Sequence, residues 1–157
     1  MDNLQLISKS IEDTNKIAAI IASVVKLDDI VILGGGLGAG KTHLVKGVAA
    51  ALSCMNNVTS PTYAIANFYK IESGNIIHID AYRLSGVAEF RDLGLDEYFE
   101  ESITFVEWGK KILDEFPSCL IVDIELDEKD ANHRKIMLSY KGKKWETTFK
   151  ELKEKLA

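Results

Sequence analysis

The chain has 157 residues, 46% of them hydrophobic and 27% charged, with a formal net charge of −5 at pH 7. That size and balance describe one domain with an ordinary core, and the acidic balance excludes strong unaided binding to nucleic acid or an anionic membrane. Cys54 and Cys119 share no metal or redox spacing, Asp2 and Asn3 replace the basic start of a signal peptide, and the apolar stretch Ile17 to Val25 is too short to span a bilayer, so a cytoplasmic location without membrane association is expected.

In chain order, Ser10-Ile11-Glu12-Asp13 predicts a helix start, with Ser10 as cap and Asp13 three residues on. Ile17, Ile20, Ile21, Val24 and Val25 then form one apolar stripe. Asp29 to Leu33 is short, apolar and β-branched, the pattern of a buried strand. Next, Gly35 to Thr42 reads G-G-L-G-A-G-K-T, a full match to the phosphate-loop pattern G-x-x-x-x-G-K-[S/T]. Leu44, Val45, Val48, Ala49 and Leu52 carry a helix onward from Thr42.

Strand, glycine loop and helix is the order that phosphate binding needs. Glycine permits positive φ and close approach of backbone N–H groups, and a helix start adds partial positive charge. Gly35, Gly36, Leu37, Gly38, Ala39 and Gly40 are therefore the candidate cradle. Lys41 is expected to reach the β- and γ-phosphates and the Thr42 hydroxyl to hold Mg²⁺. The competing reading is a glycine-rich turn with a solvated lysine. A dinucleotide fingerprint also overlaps at Gly34 to Ala39, but it needs an acid about 20 residues on. No Asp or Glu occurs from Ile30 to Ile71, which rejects that reading and leaves Lys41, Lys46 and Lys70 unopposed there.

Val58 to Tyr63 reads as irregular around Ser60-Pro61-Thr62, either a plain turn or a loop whose hydroxyls sense a γ-phosphate. Ala64 to Ile71 and Asn75 to Asp80 predict a hairpin, and Gly86 to Phe99 predicts short helices broken at Gly94. Ile103 to Glu107 is a further buried strand, followed by a helix over Gly109 to Phe116. Cys119 to Leu126 and Arg134 to Tyr140 read as strands, and Glu146 to Leu156 as a terminal helix. The alternation gives an α/β fold with a mixed, partly parallel central sheet, in one domain over 1–157.

Asp80 and Glu107 each close an apolar strand. If those strands run parallel to the loop strand, both carboxylates emerge at the phosphate edge, where open α/β sheets bind ligands. Asp80 is then the expected Mg²⁺ partner, and Glu107 the second metal-shell or water-orienting acid. The alternative is a helix-capping acid in each place, since a helix follows both. His78, between Ile77 and Ile79, reads as a packed core histidine, and Trp108 as either a partner contact or a core aromatic.

Together, L-G-A-G-K-T at Leu37 to Thr42, S-P-T-Y at Ser60 to Tyr63, H-I-D-A-Y-R at His78 to Arg83, E-F-R-D-L-G-L-D-E-Y-F at Glu89 to Phe99 and V-E-W at Val106 to Trp108 resemble the TsaE (formerly YjeE) family. The resemblance implies a P-loop NTPase-like, three-layer sandwich that binds ATP and Mg²⁺. It implies phosphate and metal roles for Lys41 and Thr42, metal and hydrolytic roles for Asp80 and Glu107, and a switch-like role for Ser60 to Tyr63. It also brings Arg134 near the nucleotide. The family works with TsaD and TsaB, which transfer a threonylcarbamoyl group to N6 of adenosine 37 in tRNA. The resemblance thus implies a weak ATPase supporting repeated turnover, with tRNA met indirectly. Two departures stand out: Gly36 where the family usually has Asp, and His43 where it often has Thr. His43 is expected either at the α-phosphate or facing solvent.

A small-molecule kinase and a nucleotide-dependent switch are the alternatives. Kinases of this kind use several lid arginines, whereas this chain has only Arg83, Arg91 and Arg134. The guanine-reading N-K-x-D pattern is missing, which disfavours a GTPase. Acids gather from Glu89 to Glu101 and bases from Arg134 to Lys155, each a solvated face or a docking face.

Overall fold

The computed structural model describes residues 3–36, 38–54 and 65–157. Its strands are β1 (Asn3–Ser8), β2 (Ile30–Gly34), β3 (Ala66–Ile71), β4 (Gly74–Asp80), β5 (Ser102–Glu107), β6 (Cys119–Leu126) and β7 (Arg134–Lys141). They form one sheet in the order β1-β7-β6-β2-β5-β4-β3. The β-branched and aromatic runs supply the centre: β2 lies parallel to both β5 and β6, and β4 lies parallel to β5. Antiparallel pairs β3–β4, β6–β7 and β1–β7 complete the flanks, so the sheet is mixed as expected.

Side chains alternate across the sheet with period two. Val31 and Leu33 join one core cluster with residues of α1 (Ile11–Val24), α2 (Lys41–Ala51) and α4 (Trp145–Leu156). Ile30 and Ile32 join a second cluster, with Phe90 of α3 (Val87–Asp92) and Ile112 of the 3₁₀ segment Gly109–Glu115. The β2 strand is thus buried on both faces, as a central parallel strand must be. The first helix starts where the capping signal lies: the Asp13 N–H donates to the Ser10 hydroxyl at 3.1 Å, and the Lys9 N–H donates to the Asp13 carboxylate at 2.9 Å. Gly94, at φ 68°, breaks the helical stretch between Val87 and Glu101 as expected.

Two elements differ from expectation. Strand β1 was not legible, because Leu4 and Leu6 give too short an alternation and both are only half-buried at the sheet's edge. The stretch after β5 is a kinked 3₁₀ segment rather than an α-helix, with Ile112 at φ −117° and fully buried in the second cluster. Tertiary packing of Ile112 overrides local helix preference there. Burial pushes the Cys119 thiol up to about 11, which keeps it protonated at neutral pH. No helix among the described residues is long and apolar enough to cross a membrane.

Candidate functional site

The sheet register brings the acids together. Leu33 of β2 lies opposite Glu107 of β5, and Glu107 lies opposite Asp80 of β4. All three strands are parallel, so their carboxyl ends share one edge. By alternation, His78, Asp80 and Glu107 fall on the same face as Ile76 and Phe105, the face covered by α1 and α2. The first residues of α2 are Lys41 and Thr42, so the loop and the acids converge. The Thr42 hydroxyl donates to Glu107 Oε2 at 3.0 Å, and His78 Nε2 meets the same oxygen. Asp80 Oδ1 accepts from the Tyr82 N–H at 2.9 Å. Lys41, Thr42, Asp80 and Glu107 line one cavity of about 480 Å³, with Tyr82, Arg83 and Trp108 on its wall.

The loop takes the backbone shape its glycines allow. Gly35, Gly38 and Gly40 have φ of 120°, 74° and 109°. Gly40 is the N-cap of α2 and offers no side chain, so the helix's first N–H groups are left to an incoming acceptor. Ala39 also lines the cavity, and its carbonyl accepts from Arg134 Nε at 3.0 Å. Leu37, Ser60 and Thr62 lie outside the described residues.

Lys41 is 5% exposed, and its ammonium donates to the Gly35 carbonyl at 2.7 Å and to Gly36 at 3.3 Å. It also sits 3.6 Å from the centre of the Trp108 ring, a cation–π contact. Burial lowers its pKa from the ordinary value, while the charges of Glu107 and Asp80 work in the opposite direction. The Trp108 backbone is left-handed, with φ 60°, and its N–H donates to the Leu33 carbonyl at 3.0 Å. That sharp turn directly after Glu107 brings the indole back over Lys41 and against Tyr82, with ring centres 5.1 Å apart.

A second cavity of about 580 Å³ lies on the other side of the loop. Ala39, Gly40 and His43 line both cavities, and Arg134 and Asn132 line the second. His43 Nε2 pairs with Asn15 Oδ1 of α1 at 3.1 Å, a solvent-exposed contact that ties α2 to α1 at the boundary of the cavities. Arg134 is anchored by three carbonyls, Ala39, Ala131 and His133. It braces the loop from the side of the second cavity.

The donor set suits Mg²⁺. One hydroxyl and two carboxylates, all hard oxygens, converge, and Mg²⁺ ordinarily takes one or two carboxylates and completes its shell with water and phosphate. A protein-only cage is not present: no cluster of three His, Cys, Asp or Glu fit to hold a metal occurs among the described residues.

Reasoning from sequence missed two things here. His78 is a buried core residue as read, yet its ring reaches Glu107; the signal was its position two residues before Asp80, on the same strand face. Tyr82 and Trp108 carry no phosphate-site signature by type, Arg83 was weighed only as a kinase-lid arginine, and the turns after β4 and β5 bring all three to the cavity.

Gly36 is a place where a side chain fits. A Cβ there meets nothing within 4 Å, and its φ lies outside the left-handed region. Gly36→Asp is expected to fold normally and to raise the nucleotide-free melting temperature by about 1–4 °C, through reduced freedom of the unfolded chain. A thermal melt checks this, and a fall beyond about 5 °C would mean the loop tolerates no side chain there.

Comparison with known proteins identifies the family. Residues 8–136 match the TsaE family, described as "Threonylcarbamoyl adenosine biosynthesis protein TsaE". A relative from Aquifex aeolicus, "tRNA threonylcarbamoyladenosine biosynthesis protein TsaE", is 38% identical over 136 residues, covering 85% of this chain and 94% of its own. The protein of that name from Bacillus subtilis is 35% identical over 142 residues, covering 90% of this chain and 88% of its own. The crystal structure of YdiB from Bacillus subtilis superimposes with a TM-score of 0.80 at 29% identity, over 98% of this chain and 95% of that one. With its phosphate loop, its two strand-end acids and a match over most of its length, the chain belongs to the TsaE family.

Proposed function

We propose that this protein is a weak, Mg²⁺-dependent ATPase that sustains threonylcarbamoylation of tRNA adenosine by a TsaD–TsaB complex, meeting tRNA only through that complex. The observation that carries the reading is the convergence of Lys41, Thr42, Asp80 and Glu107 on one cavity at the start of α2. The names of the relatives support the pathway.

The triphosphate tail is assigned to the first cavity and the nucleoside to the second, since Ala39, Gly40 and His43 border both and Arg134 lines the second. The backbone N–H groups at the loop and helix start receive phosphate oxygens. Lys41 exchanges its loop carbonyls for the β- and γ-phosphates. Thr42 and Asp80 would hold Mg²⁺, with Glu107 as the second acid, and the bound ion would supply positive charge against the phosphate chain. Glu107 orients a water whose oxygen bonds to the γ-phosphorus as the bond to the bridging oxygen breaks, releasing ADP and phosphate. Ser60 and Thr62, which lie outside the described residues, are proposed as further nucleotide-binding residues on the resemblance alone.

Reconstituted tRNA modification tests this. With TsaD, TsaB, tRNA and a threonylcarbamoyl donor, ATP is expected to support many rounds per complex, and a non-hydrolysable analogue about one round or fewer, as a hydrolysis-driven reset requires. Sustained modification with the analogue would replace the ATPase reading with that of an occupancy switch.

A further inference from the structure

We infer that His78 is a positioning residue that fixes which carboxylate oxygen of Glu107 faces the chemistry. The inference rests on the reading of Glu107 as the water-orienting acid. His78 is 0% exposed on β4, and its Nε2 meets Glu107 Oε2 across the β4–β5 pair. Its other ring nitrogen, Nδ1, is buried with no hydrogen-bond partner among the described residues. A buried N–H left unpaired is rarer and costlier than a bare lone pair. Nε2 therefore carries the proton that is donated to the Glu107 carboxylate.

Thr42 donates to that same oxygen, so Glu107 Oε2 receives two hydrogen bonds at once. Among the described residues Oε1 receives none, and Glu107 lines the phosphate cavity. Two donors on one oxygen, from two elements, remove rotation about the terminal bond of the side chain. Oε1 becomes the oxygen available to a water. His78 does not line this cavity itself; it acts through Glu107.

The test uses the full chain, with rates of Mg-ATP hydrolysis at saturating ATP and ATP dissociation constants by calorimetry, for wild type, His78→Phe, His78→Gln and Glu107→Gln. His78→Phe is expected to slow hydrolysis at least about tenfold with the ATP dissociation constant within about twofold, the pattern of a group that acts on the chemical step. His78→Gln is expected to recover to within about threefold of wild type, because its amide N–H can reach the place of the imidazole Nε2. Wild-type rates in His78→Phe, or equal losses in both variants with unchanged melting temperatures, would overturn the inference. If Glu107→Gln hydrolyses ATP normally, the role of the acid fails and this one with it. If only Glu107→Gln is slow, His78 alone is wrong. Long-range ¹⁵N–¹H spectra of the wild-type imidazole need no variant: they are expected to show Nε2 protonated and Nδ1 bare, and the opposite tautomer would sink the proposal.

Discussion

Glu107→Gln is expected to slow Mg-ATP hydrolysis about a hundredfold or more, equivalent to about 2.7 kcal/mol in the barrier, while ATP affinity stays within about threefold or tightens. The amide is nearly isosteric and can turn its oxygen toward the two donors, Thr42 and His78, that now meet Oε2. Its NH₂ then faces the cavity, where it neither accepts from a water nor carries charge. The site also loses one negative charge near the place assigned to the phosphates, which explains why binding is expected to hold or improve. Hydrolysis rates paired with calorimetric affinities check both halves. Normal turnover would remove Glu107 from the mechanism, and lost ATP binding would recast it as a structural prop for the loop.

Gly35→Ala is expected to destabilise the fold by about 3 kcal/mol or more, lowering the melting temperature by about 6–12 °C. A Cβ at this position lies 1.9 Å from the Ile124 carbonyl oxygen of β6, and φ is 120°. The left-handed backbone costs an ordinary residue about 1–2 kcal/mol. The clash is with backbone, which cannot rotate away, so loop and strand must separate. Gly38→Ala is the control: φ is 74° there, but an added Cβ meets nothing within 4 Å, so only the conformational part applies. Urea or thermal unfolding distinguishes the two. Equal, small losses would show that the loop can lift off β6 freely. The Gly35 carbonyl also anchors Lys41, so displacement reaches the candidate binding residues as well as the core.

Much of this was readable beforehand, for identifiable reasons. The glycine loop announces itself because few residue types can adopt its backbone, and β2 and α2 flank it with strong periodic patterns. Asp80 and Glu107 were legible as strand ends, but their meeting required β2, β5 and β4 to be parallel neighbours, which is a property of topology. Strand β1 was not legible, since half-buried Leu4 and Leu6 gain their meaning only from β7 beside them. His78 looked like core and is core; its bond to Glu107 depends on the register that pairs Asp80 with Glu107. Trp108 was undecidable because its function depends on a left-handed turn that no tryptophan advertises.

The resting place of Lys41 makes anion capture at this loop an exchange. The ammonium already satisfies two carbonyl dipoles and lies against an indole face. An oxyanion that takes this cation leaves those dipoles to find other partners and strips the aromatic ring of its guest. What a titration reads is then the difference between two sets of satisfied partners, so the net gain is far smaller than the new contacts taken alone. The same contacts give the loop an internal strut that holds the curvature of a glycine-rich stretch.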